Sequence, residues 1–89
     1  MAVYNFTYQL NITPAELLQE ISKLVDEFRG EFQGDEQAGT FRLDVMVGQV
    51  IGSYQVSEDK LHIAILEKPW LVGPGTISQT IKDYLPGLS

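Results

Sequence analysis

The sequence predicts an α+β fold: a two-layer sandwich in the order β-α-β-β-β-α, with a four-stranded mixed sheet and both helices on one face. Three observations lead there. Apolar and polar residues alternate in four separate runs, the period of a half-buried strand. Two helix-start signatures, Thr13-Pro14-Ala15-Glu16 and Thr76-Ile77-Ser78-Gln79, each open a run of apolar residues at helical spacing. Each helix carries a single apolar stripe, so both should cover the same side of the sheet and leave the other side open.

The first strand spans Val3 to Ile12. Tyr4, Phe6, Tyr8, Leu10 and Ile12 share its inner face, opposite Asn5, Thr7, Gln9 and Asn11. Thr13 can accept from the N–H of Glu16, whose carboxylate can reach back to the N–H of Thr13. Pro14 stands at the first helical position, where its missing N–H costs nothing. Leu17, Leu18, Ile21, Leu24, Val25 and Phe28 then form one stripe, with Glu20, Lys23 and Glu27 on the far side and Gly30 as the expected C-cap. Phe32 anchors the following segment, and polar Gln33 to Gly39 reads as a loop.

The second strand places Phe41, Leu43, Val45 and Val47 inward, against Thr40, Arg42, Asp44 and Met46 outward. A reversal at Gly48-Gln49 leads to a third strand with Val50, Gly52, Tyr54 and Val56 inside. Gly52 weakens that strand unless something needs close backbone approach. Ser57-Glu58-Asp59-Lys60 is a hairpin turn into a fourth strand with Leu61, Ile63 and Ile65 inside and His62, Ala64 and Leu66 outside. The last helix starts at Thr76, carries Ile77, Ile81, Tyr84 and Leu85, and stops at Pro86-Gly87. The helix between the first two strands makes them parallel if they share a sheet; the last three form an antiparallel meander.

Composition narrows the function. The chain has 89 residues, which predicts one domain over 1–89. Cysteine is absent, so disulfides, thiolate metal sites and a cysteine nucleophile are excluded. Residues 1–12 alternate rather than forming the continuous apolar block of a signal peptide, and no apolar run is long enough for a transmembrane segment. A soluble, cytoplasmic protein is expected. The net charge is −6, concentrated in Glu16 to Glu36, which disfavours nucleic-acid phosphates and anionic lipid as partners. Neither a metal nor a cofactor is called for: acidic pairs such as Glu16 and Glu20 are generic, and no phosphate-cradling glycine loop is present.

Two regions stand out. In Glu67-Lys68-Pro69-Trp70-Leu71-Val72-Gly73-Pro74-Gly75, the only Trp lies among apolar residues where a short polar connection would suffice. Either the loop tucks Trp70 under the last helix, or Trp70, Leu71 and Val72 form a contact surface. The open sheet face adds Met46, Ile51, Ala64 and Leu66 among polar neighbours, a surface suited to self-association. His62, Tyr54 and Asp44 are the candidate polar groups for a ligand, but they form no catalytic motif.

The back half resembles the polyhydroxyalkanoic acid system protein family. The resemblance lies in Gly48 and Gly52, the hairpin Val56-Ser57-Glu58-Asp59-Lys60-Leu61-His62-Ile63, the apolar turn Trp70-Leu71-Val72-Gly73-Pro74, and Ile77, Ile81 and Leu85 of the closing helix. It implies a small protein of this element order, associated with hydrophobic storage-polymer granules, and it transfers no catalytic residue. The expected function is a non-enzymatic interaction module that uses the open sheet face and the Trp loop to bind a second copy, another protein or a hydrophobic granule surface. The alternative is a small-ligand binder or enzyme with a cleft between sheet and helices.

Overall fold

The computed structural model describes residues 2–89. Its elements run β1 (Tyr4–Gln9), α1 (Pro14–Glu27), β2 (Glu31–Gly34), β3 (Ala38–Val45), β4 (Gly48–Ser57), β5 (Lys60–Glu67) and α2 (Pro74–Tyr84). The sheet has five strands, not four, in the order β1-β5-β4-β3-β2. Every pairing is antiparallel, so the sheet is not mixed. The strand expected to run parallel to β1, here β3, runs antiparallel to it. The reason is that α1 leads first to the extra strand β2, which runs in the direction of β1 at the opposite edge of the sheet, and the β2–β3 hairpin then reverses the chain. β1 instead docks beside β5, with Tyr4 opposite Ile65 and Tyr8 opposite Leu61.

The strand missed by the sequence is β2. It pairs with β3 from Glu31–Arg42 to Gly34–Gly39. Asp35 closes this hairpin: its Oδ1 accepts from the N–H groups of Gln37 at 2.8 Å and Ala38 at 3.0 Å. The two glycines that suggest a loop leave room for an aromatic ring. A Cβ at Gly39 would lie 2.7 Å from the Tyr54 ring, and the Tyr54 hydroxyl donates to the Asp35 carbonyl at 2.8 Å.

α1 begins as its cap predicts. The Glu16 N–H donates to Thr13 Oγ1 at 3.2 Å, and the Thr13 N–H donates to Glu16 Oε1 at 3.2 Å. Its end differs in detail. Arg29, not Gly30, takes the left-handed conformation, at φ 53°. The Gly30 N–H bonds the Val25 carbonyl at 2.8 Å and the Arg29 N–H bonds that of Asp26 at 3.2 Å, the paired bonds of a Schellman cap. Gly30 is needed for space, because a Cβ there would overlap the Arg42 carbonyl of β3.

α2 starts three residues earlier than its capping-box spacing suggests, with Gly73 rather than Thr76 as N-cap. Pro74, whose fixed φ suits the first turn, opens it, and Gly73 caps it without a side-chain bond. Thr76 lies inside the first turn, where its carbonyl accepts from Thr80 Oγ1 at 2.9 Å.

Both helices bury their stripes against the same sheet face. Leu17, Ile21, Leu24 and Val25 of α1 and Ile77 and Ile81 of α2 share one core with the inward residues of β3, β4 and β5. Tyr8 is tied to Ser78 of α2 by a 2.8 Å hydroxyl–hydroxyl bond. The Phe28 and Tyr84 rings meet edge-on at 5.3 Å, linking the C-terminal ends of the two helices. After α2 the chain returns along β1, with Gln9 and Ser89 exchanging backbone bonds at 2.9 and 3.1 Å. Edge strand β1 is thereby partly covered. No helix among the described residues is long and apolar enough to cross a membrane.

Candidate functional site

Two tight turns bring the most exposed apolar residues to one end of the molecule. The first joins β3 to β4. Val45 pairs with Gly48, so Met46 and Val47 form a two-residue loop. Met46 therefore does not sit on the open sheet face, as its alternation suggests. It stands at the apex of a hairpin, fully in solvent at 104% relative exposure. The reversal falls at Met46-Val47 rather than Gly48-Gln49 because β4 is already paired from Gly48. Gly48 has φ 146°, a value glycine adopts without strain.

The second turn follows β5. The Val72 N–H bonds the Pro69 carbonyl at 3.1 Å, which makes Pro69-Trp70-Leu71-Val72 a β-turn with Trp70 and Leu71 at its centre. Central turn residues point away from the chain they reverse. Trp70 is accordingly 85% exposed and Leu71 63%, whereas Val72 is half-buried and packs against the core. Trp70 is not tucked under α2. The two turns are neighbours: a Cβ at Gly48 would lie 3.2 Å from the Pro69 ring. Met46, Val47, Trp70 and Leu71 thus form an apolar tip.

The open sheet face contributes less. Ile51 is half-buried and Leu66 is exposed. They sit at a β-bulge, where Ile51 pairs with Glu67 while the next residue, Gly52, pairs with Ile65. The extra residue, Leu66, is on β5. Elsewhere this face presents Asn5, Thr7, Ser53, Gln55 and His62, which with Ala64 line a shallow depression of mixed polarity.

The candidate ligand groups do not converge. His62 Nδ1 is hydrogen-bonded to Thr7 Oγ1 at 3.1 Å, across the β1–β5 ladder on the open face. Tyr54 faces the opposite side, where its hydroxyl is spent on the Asp35 carbonyl; burial, followed by the nearby Asp35 charge, raises its pKa. Asp44 is on the open face opposite Gln49, bonded by the Arg42 guanidinium. No cluster of three or more His, Cys, Asp or Glu suited to a metal occurs among the described residues.

Between the sheet and the two helices, where the alternative reading expects a cleft, lies a cavity of about 270 Å³. Its walls come from α1 (Ile21, Leu24), the sheet (Leu43, Ile65) and α2 (Ile77, Ile81). Among its less buried lining residues, Val47 and Val72 belong to the two turns of the apolar tip, so the cavity opens beside it. The only signal in the sequence is the shortness of α2, which leaves part of a wide sheet thinly covered. The chain matches no protein-family model and no curated protein.

Proposed function

We propose that this protein is a non-enzymatic interaction module that self-associates through its apolar tip, with Ile51 and Leu66 extending the contact over the sheet. One observation carries the reading: the only Trp of the chain is 85% exposed at a turn apex, with Leu71, Met46 and Val47 around it. A lone exposed apolar residue is ordinary, whereas several gathered on adjacent turns form a patch of the kind that marks contact sites. Trp and Met are also enriched in protein interfaces. The acidic charge lies mainly on α1 and the β2–β3 hairpin, so it leaves the tip free for an apolar contact.

The resemblance of Gly48 to Leu85 to the polyhydroxyalkanoic acid system family includes this turn, and it names a hydrophobic granule as a second surface the tip would contact in the cytoplasm. Intrinsic fluorescence tests the reading directly, since all Trp emission comes from residue 70. On raising the protein concentration, emission should shift to the blue while native mass spectrometry shows a dimer or higher multiple. Trp70→Ala and Leu66→Glu should each weaken that association. A monomer with red emission at every concentration would refute self-association.

A further inference from the structure

The geometry points to a binding site for a small, neutral, apolar molecule in the cavity between the sheet and the helices, entered beside the tip. This site lies inside the fold, shares Val47 with the contact surface proposed above, and goes beyond it. The cavity measures about 270 Å³. An apolar cavity of about 150 Å³ takes benzene, so by volume about ten non-hydrogen atoms fit here. Its deeper walls are apolar, and the only polar side chains that line it are those of Thr76 at the mouth, Thr80 and Tyr54. Thr80 Oγ1 is used by the Thr76 carbonyl, and the Tyr54 hydroxyl by the Asp35 carbonyl. A charged or strongly hydrogen-bonding group would be buried there without compensation. The net charge of −6 further disfavours an anion. An aliphatic chain or a small ring system meets both constraints.

The site has a way in. Val47 is exposed in the β3–β4 turn, and Thr76 is exposed in the first turn of α2. Both line the cavity, so it is not sealed from solvent. Deeper in, Ile65, Ile77 and Ile81 are buried and report occupancy without sensing the surface.

The test is a titration of the full chain with 1-octanol, followed by methyl NMR. Saturable shifts are expected at Ile65, Ile77 and Ile81, with much weaker shifts from octanoate at the same concentration. Thr80→Leu fills the wall from α2 and should weaken 1-octanol binding about tenfold, the loss of room for one to two methylene groups. Val72→Phe, on a different segment of the rim, should do the same if Thr80→Leu lowers the melting temperature. The same buried-methyl shifts should appear at a protein concentration where native mass spectrometry shows only monomer, which separates this site from self-association. Shifts confined to Leu71 and Val47, no saturation at the buried methyls, or octanoate binding as well as 1-octanol would each overturn the assignment.

Discussion

Replacing Trp70 by Ala separates a residue that builds the fold from one that awaits a partner. A fully buried Trp removes roughly 150–250 Å² from water. Trp70 is 85% exposed, so the monomer hides only a small remainder, roughly 30 Å². At about 25 cal/mol per Å², that remainder stabilises the monomer by under about 1 kcal/mol. A Trp tucked beneath α2 would instead cost about 3–5 kcal/mol on truncation. Urea unfolding followed by circular dichroism reads the difference, because the variant retains no Trp. The measurement should be made at low and high protein concentration, since association stabilises the folded state by mass action. At low concentration the variant should unfold within about 1 kcal/mol of the parent. At high concentration the parent alone should gain stability. A loss above about 3 kcal/mol that does not depend on concentration would show Trp70 covered by its own chain, and the reasoning from the tip would fall.

Three further outcomes are expected. Gly52→Ala places a Cβ 2.6 Å from the Phe41 ring and 2.9 Å from the Ala64 carbonyl, so thermal unfolding should show a loss of about 1–3 kcal/mol. Arg29→Gly relieves the left-handed residue at the α1 C-cap, where φ is 53°, and should stabilise by about 1 kcal/mol in the same assay, a rise of about 4–8 °C. Glu20 has its pKa raised, first by burial, while the Gly87 backbone pulls the other way. A carboxyl with a raised folded pKa contributes stability that is present below its unfolded pKa and lost as pH rises through the folded one. Glu20→Gln should therefore raise the urea midpoint at neutral pH and change little well below the glutamate range. Equal effects at both would contradict the burial argument.

Features that depend on nearest neighbours were legible. The Thr13–Glu16 capping box forms with both of its bonds. Strand alternation correctly assigns Phe41, Leu43, Val50, Tyr54, Leu61, Ile63 and Ile65 to the core. The Ser57–Lys60 turn closes β4 onto β5 as expected. Even Gly52 carried its meaning in advance, since the close approach it permits is the Phe41 ring. Segment 31–39 was not legible, because its polar, glycine-rich composition hides a strand whose glycines accommodate Tyr54 from β4.

The candidate site was legible only by composition. Trp70, Leu71 and Met46 stand out in the sequence as apolar residues in unusual places, but neither their exposure nor their adjacency follows from spacing. Periods of two and 3.6 residues, caps and turn residues act over a few positions along the chain, and they determined which segments are strands and helices and which faces they bury. Strand order, the antiparallel docking of β1 on β5, the exposure of the Trp70 turn and the cavity beneath it arise where distant segments meet. Tyr4 lies opposite Ile65, Gly39 opposite Tyr54, and Gly48 beside Pro69. Those meetings depend on how the whole sheet and both helices fill space together, and only the tertiary structure decided them.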